Sequence, residues 1–135
     1  MKLVVDTNII ISAIIKDSLT RRILTHLDAD LYTIDFSEQE IKKYKSEILQ
    51  KAEISEIALD FLLGKLKDRL SNIDDNVVAL KMEKAFGIMK EIDPKDSPFL
   101  AAALAINAEI WSDDKHFDKQ NLVKVWKTKD LVKFL

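Results

Sequence analysis

"KLVVDTNIIISAII", residues 2–15, runs through Leu3-Val4-Val5, breaks into three polar residues, Asp6-Thr7-Asn8, and turns apolar again at Ile9. Lys2 is followed by three aliphatic residues, two of them β-branched, with no helical period, so 2–5 reads as a buried strand. The residues after the break place Ile9, Ile10, Ala13 and Ile14 at helical spacing, with Thr7 or Asn8 as the cap. The polar triplet therefore marks a strand-to-helix corner, and the apolar run resumes because the helix packs back on the sheet.

The alternation continues along the chain. A helix is expected over 19–27 after Ser18, and "LYTI" (31–34) is rich in β-formers. Ile41, Tyr44, Ile48 and Ala52 recur at helical spacing, and Ser37 with Glu40 fits a Ser-x-x-Glu capping box, which predicts a helix starting near residue 38. Residues 56–70 repeat the helical pattern with Ile57, Phe61, Leu62 and Leu66. "NVVAL" (76–80) fits a short strand or a helix entry, and 81–91 reads as helix. Ser97-Pro98 opens an Ala- and Leu-rich helix, since proline is tolerated in a first turn. "EIWS" (109–112) and "VKVW" (123–126) are short strands, and Thr128 caps a last helix holding Leu131, Val132 and Leu135. Strands alternating with helices imply a parallel sheet covered on both faces, because parallel connections need crossovers.

Composition sets the outer bounds. The 135 residues suit one domain, 1–135, and 47% hydrophobic with 33% charged residues is ordinary for a folded soluble chain. Without cysteine there is no thiol nucleophile, disulfide or cysteine-held metal, so a metal must be held by oxygen or histidine. The longest apolar stretches fall short of the roughly 20 residues of a membrane helix, and no signal-peptide pattern opens the chain, which leads us to expect a cytoplasmic protein without a membrane partner. A net charge of -2 hides a cluster of Lys42, Lys43, Lys45 and Lys51 and another of Asp113, Asp114 and Asp118.

In an open parallel sheet, ligands bind beyond the carboxyl ends of the strands. Asp6 follows the first strand and Asp114 the "EIWS" strand. Glu40 falls in the first turn of the helix leaving the second strand, and Asp96 opens the helix that runs back against "EIWS". Four carboxylates thus converge on one edge by topology. Like charges so close raise each other's pKa, and a hard divalent ion, Mg²⁺ or Mn²⁺, is the natural neutraliser. Taken singly, Asp6, Glu40 and Asp96 are also explained as helix caps, and the lysines as a solvated helix face. His26 and His116 carry no ligand-like spacing; Trp111, Trp126 and Phe117 read as packing.

"VVDTNIIISA", "EIKKY" led by Glu40, and above all "DPKDSPFLAAALAINAEIWSDDKHF" resemble PIN-domain proteins over nearly the whole chain. The resemblance implies an α/β/α sandwich around a central, mainly parallel sheet of four or five strands. It also implies a Mg²⁺- or Mn²⁺-dependent ribonuclease with Asp6, Glu40, Asp96 and Asp114 in the acidic positions and Thr7, Asn8 and Ser112 supporting them. Many relatives carry an acid where this chain has His116, which leaves open whether Asp114 alone, or Asp114 with Asp118, completes the site. Lys42, Lys43, Lys45, Lys95 and Lys115 are candidates for contacting RNA phosphates. The small size is similar to VapC-type toxins, which implies an antitoxin partner and a homodimer, for which the apolar surface of 56–70 is a candidate. The competing reading is a catalytically weak module that binds RNA or protein. A phosphoacceptor receiver or an Asp-x-Asp phosphatase fits less well, because Asn8 stands where the phosphatase needs its second acid.

Overall fold

The computed structural model describes residues 1–135. Strands β1 (Lys2–Val5), β2 (Asp30–Ile34), β3 (Leu70–Ile73), β4 (Glu109–Trp111) and β5 (Val125–Trp126) form one sheet, all parallel, in the order β3-β2-β1-β4-β5. The chain starts in the middle of the sheet, builds outward to β3, then returns to the other side of β1 for β4 and β5. The order therefore reverses between β1 and β4, and such a switch point leaves a crevice at the carboxyl ends of the two strands.

Both faces of β1 are covered. Leu3 and Val5 point to one side and Val4 to the other, and all three are fully buried. The Leu3 side packs against α1 (Thr7–Ile15), α2 (Leu19–His26), α3 (Asp35–Lys43), α4 (Lys45–Ala52), α5 (Glu56–Lys67) and α9 (Thr128–Leu131), with Ile10, Leu24, Ile48 and Trp111 in that core. The Val4 side packs against α6 (Asp75–Ala79), α7 (Met82–Met89) and α8 (Ser97–Ile106) through Val78, Met89, Phe99 and the alanines 101–103. This is the expected α/β/α sandwich, and burial on both faces is why β1 reads as a continuous apolar run. No helix is long and apolar enough to cross a membrane.

Several local expectations are corrected. The helix expected from residue 38 begins at Asp35, directly after β2, with Ile34 as its N-cap, and the Ser37–Glu40 capping box does not form. Both side chains turn instead to Thr7 on α1. The same expected helix breaks at Tyr44 into α3 and α4. The helix expected over 56–70 ends at Lys67, and Leu70 already belongs to β3, a strand the periodicity did not reveal. Of the two readings left open for "NVVAL", the helical one holds, mostly within α6, whereas Lys127 rather than Thr128 caps α9.

Candidate metal centre

The crevice at the switch point is lined by acids from separate parts of the chain. The backbone N–H of Asp6 donates to the Trp111 carbonyl at 3.0 Å, which extends the β1–β4 pairing by one residue and sets Asp6 beside Ser112. The Ser112 hydroxyl then donates to Asp6 Oδ2 at 2.7 Å and accepts the Asp114 N–H at 3.0 Å. One fully buried hydroxyl thus ties the ends of both strands and fixes two carboxylates relative to each other.

Glu40 reaches the crevice from α3. Thr7, buried in the first turn of α1, donates its hydroxyl to Glu40 Oε1 at 2.7 Å and lies 2.9 Å from the Ser37 hydroxyl, so its one proton serves Glu40 while Ser37 donates to Thr7. A 3-10 turn over Pro94–Asp96 carries Asp96 to the start of α8. Beyond the break at Tyr44, Tyr44, Glu47 and Lys51 also line the crevice.

Asp6, Glu40, Asp96 and Asp114 all line this cleft of about 300 Å³, together with Asn8. Asn8 itself is exposed and makes no side-chain hydrogen bond to an acid. Of the lysines expected to contact RNA phosphates, only Lys95 lines the cleft. Lys45 is held by Glu56, Lys43 lies over the Tyr44 ring at 5.5 Å, Lys42 lines a separate groove between α3 and α5, and Lys115 is exposed. Asp118 pairs with Lys127 at 3.0 Å and does not line the cleft.

Asp93 and Lys51 also line the cleft, and sequence reasoning passed over both for this role. Asp93 caps the 3-10 turn through Oδ1, which accepts the Lys95 N–H at 3.3 Å, and its Oδ2 lies 3.2 Å from His116 Nδ1. The spacing Asp-x-x-Asp before Ser97-Pro98 was the available signal, since one turn of 3-10 helix brings its two ends to the same side. His116 sits at the rim with its Nδ1 also 3.1 Å from Asp114 Oδ1.

The electrostatics follow from crowding. Burial pushes the Asp6 carboxyl from 3.8 up to about 6, against the lowering effect of the hydrogen bonds from Ser112 and the Asn8 backbone, with Asp114 and Glu40 adding repulsion. Burial also raises Asp96, to about 7, and the charges of Asp6, Asp93, Asp114 and Glu40 push the same way. Asp96 Oδ2 is enclosed by protein and has no hydrogen-bond partner. An unpartnered buried carboxylate oxygen among four other acids suits a hard divalent cation, which prefers oxygen donors and neutralises the cluster.

The family model for the PIN domain matches residues 4–134. Among curated protein sequences none matches. Several solved structures are similar in fold, among them the following three. A chain of VapBC2 from Rickettsia felis, in a structure bound to a DNA fragment from their promoter, superposes with a TM-score of 0.70 at 16% identity, covering 94% of this chain and 98% of that one. VapBC-1 from nontypeable Haemophilus influenzae gives 0.70 at 18%, covering 96% and 99%. FitAcB from Neisseria gonorrhoeae gives 0.67 at 20%, covering 96% and 99%. At these identities the likeness is one of fold, and it extends over nearly the full length of each chain. The parallel sheet with its acidic switch point and the match over 4–134 together establish that this chain belongs to the PIN-domain family.

Proposed function

We propose that the chain is a single-domain, divalent-metal-dependent ribonuclease over 1–135, acting as the toxin of a toxin–antitoxin pair. The observation that carries this reading is the cleft in which Asp6, Glu40, Asp96 and Asp114 meet with an enclosed, unpartnered Asp96 oxygen. Asp6, Asp96 and Asp114 would hold a Mg²⁺ or Mn²⁺ ion, with Glu40 reaching it directly or through water. Bound there, the ion would supply Lewis-acid activation of the attacking water and charge neutralisation on the phosphoryl oxygens.

The chain's own residues do the rest. Ser112 holds Asp6 in one rotamer and Thr7 does the same for Glu40, so the oxygen donors are oriented before an ion arrives. Lys51 and Lys95 are the cleft's two cations, placed to attract the phosphates flanking the scissile bond, a contact that positions without reading sequence. The partner reading is supported by the fold neighbours VapBC2, VapBC-1 and FitAcB, whose names are those of paired components. For self-association, the outer face of α5 is the candidate, since Ile57 and Phe61 there are 83% and 67% exposed.

The test is cleavage of single-stranded and structured RNAs with Mg²⁺, with Mn²⁺ and with chelator. Cleavage is expected only with an ion, and Asp6→Asn or Asp96→Asn should each lower the rate on the order of 10²-fold. Variants that cut as fast as wild type would show the site to be misassigned. Ion binding with no cleavage of any RNA would favour a binding module instead.

A further inference from the structure

At its rim the acidic cleft sets two further donors, Asp93 and His116, beside Asp96 and Asp114. His116 Nδ1, Asp93, Asp96 and Asp114 each offer one atom, and the four atoms lie within 4.8 Å of one another. Three features of this group point the same way. Nδ1 is 3.1 Å from Asp114 Oδ1 and 3.2 Å from Asp93 Oδ2, yet it is aligned with neither as a hydrogen bond and is enclosed by protein. Adjacent donors around an octahedral ion with bonds of about 2.1 Å stand about 3 Å apart, which is the spacing found here without the directionality a hydrogen bond needs. Asp96, already one of the four donors, likewise has an enclosed and unpartnered oxygen, Oδ2.

The ring is also built into place. The backbone N–H of His116 donates to Asp114 Oδ1 at 2.9 Å, and the adjacent Phe117 is fully buried, edge-on to Phe99 of α8 with ring centroids 6.4 Å apart. Asp93 spends Oδ1 on the Lys95 N–H and turns Oδ2 to the histidine.

We propose that His116 Nδ1, with Asp93, Asp96 and Asp114, ligates a divalent ion and makes this chain select Mn²⁺ over Mg²⁺. The inference rests on the divalent-ion reading above and specifies it. Carboxylate and water suit Mg²⁺ and Mn²⁺ alike, whereas an imidazole nitrogen is a transition-metal ligand, so one nitrogen among oxygens discriminates between them.

The experiment uses the full chain without a histidine tag. Mn²⁺ binding is followed by electron paramagnetic resonance, with Mg²⁺ as competitor, and electron-spin-echo modulation reads nitrogen coordinated to the Mn²⁺. The chain has two histidines, and His26 lies at the end of α2, where the chain turns to the amino end of β2, so a nitrogen signal reports His116. Wild type is expected to show the signal, and His116→Asp to lose it and to lower the Mn²⁺/Mg²⁺ affinity ratio by about tenfold or more. His116 is 45% exposed in its side chain, so the variant should fold. Asp93→Asn should weaken Mn²⁺ binding and keep the nitrogen signal. Bound Mn²⁺ without nitrogen coupling overturns the proposal alone. So does a His116→Asp variant that binds both ions more tightly in equal measure, which would make His116 a mere countercharge. A wild-type chain that binds neither ion overturns this proposal and the metal reading together.

Discussion

At the scale of single residues, the site depends on side chains that each do two things. Ser112 donates to Asp6 and accepts from the Asp114 backbone, and its hydrogen bond is the first of the influences that hold the Asp6 carboxyl down against burial. Removing it has a direction that can be worked out. In Ser112→Ala, Asp6 loses a donor that favours its charged form, so its carboxyl rises further above about 6. An ion that needs the carboxylate must then compete with a proton at higher pH. Mn²⁺ titrations should show affinity falling as pH drops through about 7 and then 6 in wild type, as Asp96 and then Asp6 take up protons. The variant should lose affinity about 10–100-fold and begin its loss at higher pH. A pH profile that superposes on wild type would show that the hydroxyl does not tune Asp6.

Elements decide which of these residues meet. Asp6, Asp96 and Asp114 were legible in the sequence because each stands where a clear apolar run starts or stops, and all-parallel topology then gathers such positions on one edge. Glu40 was legible as one of the converging acids, and only the capping box read for it with Ser37 was wrong. The capping box failed because the chain turns helical as soon as β2 ends, which moves Ser37 inward to Thr7. β3 was hidden for a different reason: it is an edge strand whose middle residues, Ser71 and Asn72, are exposed and polar, so four residues carry too little alternation to outweigh the helical pattern before them. Asp93 looked like a turn residue, and it is one; its second oxygen became visible only with His116 beside it. The helix that sequence described best, α8, is also the one with least room. Ala101, Ala102 and Ala103 are all fully buried where α8 meets the Val4 face of the sheet, α6 and α7. Ala102→Leu should therefore destabilise the fold by about 1–3 kcal/mol in denaturant unfolding, because added methylenes have no void to enter. A midpoint unchanged from wild type would mean that α8 sits farther from its neighbours than its burial implies.

The whole molecule carries the cost of its cleft. In the folded chain the Asp6 and Asp96 carboxyls titrate near 6 and 7, against 3.8 ordinarily, so between about pH 4 and 7 the native state holds protons that the unfolded chain has lost. These two groups therefore make stability fall as pH rises through that window, and their penalty is complete above it. For Asp6, 3% exposed, the penalty is on the order of 3 kcal/mol. A bound cation offsets it, since any ligand that binds only the folded chain stabilises that chain. Asp96→Asn separates this account from a structural role for Asp96, whose side chain makes no capping hydrogen bond to α8. Without metal, the variant should melt at higher temperature than wild type at pH 8, and the difference should shrink toward pH 5 and vanish near pH 4. Mn²⁺ should then raise the melting temperature of wild type more than that of the variant. A metal-free variant that melts below wild type at pH 8 would mean that Asp96 holds the fold together, and that its contacts outweigh the burial and repulsion that raise its carboxyl to about 7.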